Sequence, residues 1–257
     1  VTNIFQMTKT TSATTNVVAV TVSDTRYIMD ADDMWDFAAD VNDGDTYAGL
    51  TVRVASDIDL ECSTEKCWTS VANFYGTFDG GNHTISGLYS TTNGLFASIY
   101  SPAVIENFML KGEIKASDAT GVGAVVGTAN SVQAKPVTVR NVGNEASVTG
   151  SQYVGGILGQ CTRTVYSSDP MIIVSGCYNA GSVTSTSTTF GYLGGICGGS
   201  TSYAINVSDC YNSGTVTGSG TSSNYMQYSA GIIGREPSGY TGLLSNCYNT
   251  GTCTNCY

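Results

Sequence analysis

A short phrase of Cys-Tyr-Asn, a small residue and then glycine recurs three times in the second half of the chain. It reads CYNAGSV at 177–183, CYNSGTV at 210–216 and CYNTGTC at 247–253. Two degenerate copies, NFMLKGEI at 107–114 and NVGNEASV at 141–148, come before it. Counted from the residue before each Cys, successive copies are offset by 34, 35, 33 and 37 residues. Such a period is typical of solenoids, propellers and other repeat architectures.

A second, glycine-rich phrase alternates with the first. It reads VGAVVG at 122–127, VGGILG at 154–159, LGGICG at 193–198 and AGIIG at 230–234. Each repeat then comprises a strand, an Asn/Gly turn, a second strand and, after a variable loop, a third strand edged by glycine. Three short strands in about 35 residues suit one coil of a parallel β-helix, whereas a propeller needs longer alternating strands. The sequence predicts an all-β fold, a parallel β-helix or solenoid of about six coils.

Stacked coils place equivalent residues on top of one another, which assigns a role to each letter of the phrase. We expect Cys to point inward, Tyr outward, and Asn to take the corner with a left-handed backbone. The glycine two residues later turns without Cβ strain. The predicted ladder of asparagine amides comprises Asn144, Asn179, Asn212 and Asn249. The predicted inward stacks are Val148, Val183 and Val216, closed by Cys253, and a buried, reduced column of Cys177, Cys210 and Cys247.

The chain divides into three segments. Residues 1–26 form an N-terminal extension with the Thr- and Val-rich composition of a strand, 27–103 a capping helix with lead-in coils, and 104–257 the repeats. The cap helix is indicated by an apolar stripe, an N-cap at Asp30 or Asp32, and a stop at Asn42 with Gly44. The stripe comprises Met34, Trp35, Phe37, Ala38 and Val41. Because the sequence stops inside a repeat, we expect the last coil to be covered by further repeats or by homotypic end-to-end contact with another molecule, through the N-terminal strand.

Three of the glycine-rich phrases contain GILG, GICG and GIIG, which resemble the GLUG motif. The segment YGTFDGGNHTISGLYSTTNGLFASI at 75–99 resembles the lead-in of such arrays, and MWDFAADVNDGDTYAGLTVRVASDIDL at 34–60 resembles the helix and strand found before it. Two departures are Ala97 in place of the last glycine of GLFA, and the missing Asn/Gly turn near 104–129. The resemblance implies a right-handed β-helix in a secreted or surface-anchored bacterial protein, similar to adhesins and to non-catalytic regions of immunoglobulin-A-cleaving metallopeptidases.

Charge and cysteine usage exclude several classes of partner. The net charge is −10, with no basic stripe, which argues against nucleic acid. No apolar window is long enough for membrane insertion. Nine cysteines leave at least one unpaired, and Cys62 with Cys67, in a polar loop, is a possible disulfide. The CxxC at 253–256 lacks a second ligand pair, and the oxygen-rich turn at 42–49 lacks the Glu of a calcium loop, so we predict no metal and no cofactor.

No catalytic residue is predicted. The acidic residues of 104–257 occupy no shared position in neighbouring repeats, so they form no carboxylate pair of the kind that cleaves glycosides. His83 lies in a turn without an indicated nucleophile or orienting carboxylate. The chain is expected not to be an enzyme, although Asp57 and Asp59 face one side of a strand and a polysaccharide-acting β-helix enzyme remains the alternative.

Two columns of tyrosine are the candidate binding surfaces. One comprises Tyr178, Tyr211 and Tyr248, and the other Tyr153, Tyr192 and Tyr228. Outward aromatic rings on a flat sheet suit a host or self glycan or a protein partner, although stabilisation of the sheet by stacking between coils is the preferred explanation. We therefore expect a non-catalytic, adhesin-like or spacer module at the cell surface or outside the cell. A structural subunit that stacks end to end is a further alternative.

Overall fold

The computed structural model describes residues 5–12, 15–22, 24–132, 135–163, 172–200, 205–219, 227–236 and 242–254, and side chains from residue 24 onward except 163 and 227. The described chain is mostly β-structure with one helix, and its strands pair in parallel apart from one hairpin. The prediction of a β-rich chain with parallel strands is confirmed.

The helix α1 spans Ala31–Asn42. In chain order the strands up to residue 131 are β1 (Phe5–Ser12), β2 (Thr15–Val22), β3 (Thr25–Ile28), β4 (Thr51–Val54), β5 (Ile58–Asp59), β6 (Thr77–Ser90), β7 (Phe96–Tyr100), β8 (Val104–Lys115), β9 (Thr120–Gly123) and β10 (Val126–Ser131). The next are β11 (Val137–Asn144), β12 (Ser147–Gly150), β13 (Gln152–Gly155), β14 (Leu158–Arg163), β15 (Ile172–Ser175), β16 (Tyr178–Asn179), β17 (Val183–Ser185), β18 (Gly191–Gly194) and β19 (Cys197–Ser200). The last are β20 (Asn206–Ser208), β21 (Tyr211–Asn212), β22 (Val216–Thr217), β23 (Gln227–Ala230), β24 (Ile233–Arg235), β25 (Leu243–Ser245), β26 (Tyr248–Asn249) and β27 (Cys253–Thr254).

Each strand pairs in parallel with the equivalent strand of the next repeat. The longest column runs β3, β4, β6, β8, β11, β15, β20 and β25. Further columns run β8, β12, β17, β22 and β27, β9, β13, β18 and β23, and β7, β10, β14, β19 and β24.

The longest column contains eight strands, one from each level of the stack. The sequence predicts about six coils. The additional levels lie at the N-terminal side, where Thr25 pairs with Thr51 and Thr51 with Thr77. These two repeats are shorter than the later ones and lack the Cys-Tyr-Asn phrase, so the phrase does not give their number, although lead-in coils are expected in 27–103.

The glycine-rich phrase also differs from the expected single strand. It forms a corner between two strands that belong to different sheets, such as β13 and β14 or β18 and β19. The repeats that begin at β15 and at β20 thus contain five strands each, where three are expected.

Helix α1 connects β3 to β4, which are parallel neighbours. Asp30 caps it by accepting a hydrogen bond from the Asp33 amide, and Gly44 follows it with a positive φ of 117°. The buried face carries Phe37, whose ring centroid lies 5.7 Å from that of Phe74. The helix therefore packs on the aromatic part of the core, as a crossover between two stacked strands.

Strands β1 and β2 pair with one another in antiparallel register. The sequence predicts a single strand here that pairs with another molecule. Instead, the backbone groups along one edge of each strand are hydrogen-bonded to the other strand.

The composition of the core changes along the chain. It contains phenylalanine at Phe78 and Phe96 and smaller apolar residues such as Val183 and Cys210 later on, all of them buried.

Candidate functional site

The asparagine ladder lies inside the stack. Each Nδ2 donates to the Oδ1 of the next asparagine at 2.7 Å, from Asn144 to Asn179, Asn212 and Asn249 in turn. The same Nδ2 also donates to the carbonyl two residues later, as from Asn179 to Gly181 at 2.8 Å. Both hydrogens of each internal amide are thus used, which satisfies a polar group that would be costly to bury alone. The ladder begins at Asn144 because the preceding residue in register is Leu110.

The sequence predicts the left-handed corner at the ladder asparagine. In the structure the corner lies three residues before it. Positive φ values there range from 53° to 62° and occur at Asn107, Asn141, Gly176, Asp209 and Asn246. Asn and Asp tolerate this region because their short side chains hydrogen-bond locally. Several of them bond one another on the surface, as Asn141 Nδ2 does to Asn107 Oδ1 at 3.2 Å.

The glycine of the first phrase is also present for a different reason from the expected one. Gly181 and Gly214 have no positive φ, but a Cβ on Gly214 would lie 2.0 Å from the Gly181 carbonyl oxygen. Glycine is therefore required by the close approach of successive repeats and not by the turn itself.

The glycine-rich phrase packs directly on the ladder. A Cβ on Gly156 would lie 2.4 Å from Asn179 Cγ, and one on Gly195 would lie 2.3 Å from Asn212 Cγ. Gly231 has the same relation to Asn249, at 2.2 Å. The two recurrent phrases are thus two halves of one packing contact, which the sequence analysis does not detect because the number of residues between them varies.

The described cysteines are free thiols. Cys177 and Cys210 are buried neighbours, with the Cys177 amide donating to Cys210 Sγ at 3.4 Å, whereas Cys247 is half-buried. The interaction with the Cys177 side chain, together with burial, raises the pKa of the Cys210 thiol, and the amide hydrogen bond opposes this shift. A similar contact joins Cys161 and Cys197, whose sulfur atoms are 3.9 Å apart.

The possible disulfide between Cys62 and Cys67 is not formed. Cys67 Sγ lies 3.5 Å from the Ser63 carbonyl oxygen, while Cys62 Sγ faces the Leu60 carbonyl at 3.8 Å and packs on the core. The turn closed by the Ser63 amide and the Lys66 carbonyl at 3.0 Å holds the two side chains in different environments.

The first tyrosine column is stacked ring on ring. Centroids are 5.1 Å apart for Tyr178 and Tyr211 and 5.2 Å for Tyr211 and Tyr248, with interplanar angles of 6° and 5°. At its inner end Tyr178 covers Gly143 and its hydroxyl contacts Met109 Sδ at 3.1 Å. Because the ring faces cover one another, the column offers solvent mainly ring edges and hydroxyls, and it is not a platform for stacking a sugar along its length.

The second column differs from the expected outward row. Tyr153 is buried, with 6% exposure and a φ of 52°, and burial raises the pKa of its hydroxyl. Its ring lies 4.8 Å from Tyr192, which stacks on Tyr228 at 5.5 Å. Arg235, which the sequence analysis does not single out, places its guanidinium carbon 4.6 Å from the Tyr192 centroid and donates to the Tyr192 hydroxyl at 2.5 Å.

One pair of acidic residues shares a position on neighbouring strands, with one member outside the segment 104–257 to which the expectation applies. Asp79 of β6 and Glu106 of β8 are register partners on the outer face. Arg53 pairs with Asp79, and Arg140 Nε contacts Glu106 Oε2 at 2.5 Å. The sequence analysis misses this pair because Asp79 lies before the repeats that it compares.

His83 has a carboxylate beside it, contrary to the expectation, because Asp57 precedes β5 and β5 pairs with β6, the strand that carries His83. His83 Nδ1 lies 3.2 Å from Asp57 Oδ1, which also accepts from the Thr84 amide, and these contacts lower the pKa of Asp57. Among the described residues, no group of three or more His, Cys, Asp or Glu is placed to hold a metal ion. In the same part of the chain, no helix has the length and apolarity to cross a membrane.

Comparison with known proteins gives two relatives. Halomucin of Haloquadratum walsbyi is 31% identical over 137 residues, in an alignment that covers 46% of this chain and 1% of halomucin. A solved structure from Bacteroides ovatus, described as a "putative immunoglobulin A1 protease", superposes with a TM-score of 0.61 at 18% identity, covering 91% of this chain and 78% of that one. The second likeness concerns the fold. No family model matches the chain, so the resemblance to GLUG-motif proteins stays a prediction.

Proposed function

We propose that the chain is a non-catalytic module of a secreted or surface-anchored bacterial protein, built as a right-handed parallel β-helix that acts as an adhesin-like or spacer element. The observation that carries this proposal is the ladder from Asn144 to Asn249, buried at Asn144, Asn179 and Asn212, which links four repeats through amide hydrogen bonds. A stack with such internal bonding has the stiffness that a spacer needs.

The two relatives support the extracellular setting. The names of halomucin and of the Bacteroides ovatus protein both indicate proteins that act outside the cell. The Bacteroides ovatus structure also shares the fold over most of this chain. The resemblance of the glycine-rich phrases to the GLUG motif agrees with that setting. Free buried thiols such as Cys177 and Cys197 are compatible with it because solvent oxidants reach them poorly.

The absence of catalysis is tested with a panel of pectins, alginates, xylans and host glycans. We expect no new reducing ends and no unsaturated products from the native chain. Asp79 and Glu106, a register pair among the described residues, are each paired with an arginine, an arrangement that a structural ion pair explains without catalysis.

That same pair is the observation in favour of the enzyme alternative. Neighbouring parallel strands lie about 4.8 Å apart, near the carboxylate separation of about 5 Å in retaining glycosidases. Turnover on any polysaccharide that is lost in both Asp79→Asn and Glu106→Gln, but kept in Glu145→Gln as a surface control, would establish the enzyme and refute the proposal.

End-to-end assembly is supported by a different surface. Leu243, Leu244 and Tyr248 are 54%, 54% and 57% exposed on the last described strands. If this face joins molecules, light scattering will show concentration-dependent dimers that Leu244→Asp weakens, while Met29→Asp at the other end of the stack does not. A monomer at every concentration would remove self-assembly from consideration and leave the spacer function unaffected.

A further inference from the structure

Arg235, at the end of β24, forms no ion pair with a carboxylate of the described residues. Within the described part of the chain, ion pairs to carboxylates involve Arg26, Arg53, Lys111, Lys115 and Arg140. Arg235 is in none of these pairs. In a chain with a net charge of −10, such a cation is a favourable place for an anionic group of a ligand.

Neighbouring tyrosines fix the position of this guanidinium. Arg235 Nη1 donates to the Tyr192 hydroxyl at 2.5 Å, and the buried Tyr153 ring lies 4.8 Å from the Tyr192 ring. The residue paired with Arg235 on β19 is Gly199, which has a φ of 145°. Because glycine has no side chain, this position does not separate the guanidinium from the tyrosines on the other side of the corner. A guanidinium has five N–H donors, so these contacts leave several of them for a ligand.

Aromatic rings lie beside the cation. Phe190 is 45% exposed and its centroid lies 6.5 Å from that of Tyr192, in an edge-to-face arrangement. Tyr228, stacked on the other side of Tyr192, is 40% exposed. We call Phe190, Tyr192, Tyr228 and Arg235 the arginine–aromatic patch.

We propose that the arginine–aromatic patch binds an acidic sugar, a uronic or sialic acid residue of a glycan, through its carboxylate and one apolar ring face. This proposal rests on the module function proposed above and names its ligand class. Arginine presents paired donors in the geometry of a carboxylate, and an exposed aromatic ring packs against the C–H face of a pyranose. A charged sugar carries both groups on one rigid ring, which loses little entropy on binding.

An acidic peptide is the competing ligand, and it fits less well. Its carboxylates are on flexible chains that must be ordered, and it gains most on a sheet edge or a cluster of cations. The patch has a single central guanidinium and two exposed rings, which matches one sugar unit better than a run of acidic side chains.

Isothermal titration calorimetry on the full chain tests the proposal with matched probes. These are oligogalacturonate and its methyl ester, sialyllactose and lactose, and a poly-glutamate peptide. We expect binding of at least one acidic saccharide, at least about tenfold weaker binding of its neutral counterpart, and a loss of affinity as salt rises. The two acidic probes show whether the carboxylate comes from a uronic or a sialic acid.

Variants locate the site. Arg235→Gln and Phe190→Ala are each expected to weaken binding about tenfold or more, whereas Arg140→Gln, which removes an equal charge on another sheet, leaves it unchanged. Thermal unfolding establishes that each variant is folded, and the methyl ester tests the carboxylate on the native chain in any case. Equal binding of ester and acid, preference for poly-glutamate, no effect of both patch variants, or no binding of any probe would overturn this proposal. None of those results would bear on whether the chain is a non-catalytic module.

Discussion

At the scale of single residues, the recurrent letters are explained by contacts between repeats more than by local backbone preference. Asn179 is conspicuous in the sequence as a turn residue, yet its value lies in a buried amide that bonds both its own turn and the next repeat. Gly195 similarly has an ordinary φ and is required because Asn212 and the Gly231 carbonyl occupy the space of a Cβ. Position in the stack decides these identities.

Replacing Asn212 with Ala should destabilise the chain by about 3 kcal/mol, because the Asn179 amide then loses a buried acceptor. Urea unfolding followed by circular dichroism measures the change. Thr215→Ala, an exposed position in the same turn, is the control and should stay within about 0.5 kcal/mol. Equal effects of the two substitutions would mean that the ladder contributes nothing to stability.

Gly195→Ala should lower the free energy of unfolding by about 3 kcal/mol or more. The added Cβ would lie 2.2 Å from the Gly231 carbonyl oxygen, and this backbone atom can move away only if the neighbouring strand shifts. The matched control is Gly191→Ala, where the nearest atom is 3.4 Å away and the contact is ordinary. Differential scanning calorimetry compares the two. A similar melting temperature for both variants would contradict the packing of the glycine-rich phrase on the ladder.

At the scale of elements, columns of side chains could be predicted from the sequence and their backbone geometry could not. The periodic Val148, Val183 and Val216 predict a stack, and these residues are register partners. The prediction that the ladder asparagine has the left-handed backbone is wrong, because a repeat can contain two candidate asparagines. Only the fold shows that Asn141 and Asn246 have the positive φ. Arg235 could not be found, since its contact with Tyr192 crosses a corner between two sheets whose relation the sequence does not encode locally.

The cysteine column gives a pH-dependent prediction. The pKa of the Cys210 thiol is raised by its interaction with the Cys177 side chain and by burial, above the ordinary thiol value of 9.0. The folded chain therefore holds this proton when the unfolded chain releases it, so the stabilisation is complete below pH 9 and is lost as the pH rises beyond it. Urea unfolding between pH 7 and 10 should show a steeper loss of stability for the native chain than for Cys210→Ala. Parallel slopes would show that the thiol is not protected.

At the scale of the whole molecule, the architecture is a sum of contacts between neighbouring repeats. Strand β11 pairs with β8 on one side and with β15 and β16 on the other. The two N-terminal repeats follow the same parallel register without the phrase, with Ile58 and Ile85 among their buried partners. The repeated phrase is therefore sufficient to recognise the stack but is not necessary for a repeat to join it.

This modularity predicts that one whole repeat can be removed. Deleting residues 177–209 joins Gly176 to Cys210. Cys210 then occupies the place of Cys177 in the stack, and Asn144 can donate to Asn212 in place of Asn179. In a β-helix each repeat contacts only its neighbours, so we expect a folded chain whose urea unfolding remains cooperative, with a smaller m-value because less surface is exposed on unfolding. Deleting only residues 177–193 is the control, because it removes about half a repeat and brings unlike strands into register. If the in-phase deletion is as unfolded as the out-of-phase one, the chain does not behave as a stack of independent repeats and the β-helix proposal fails.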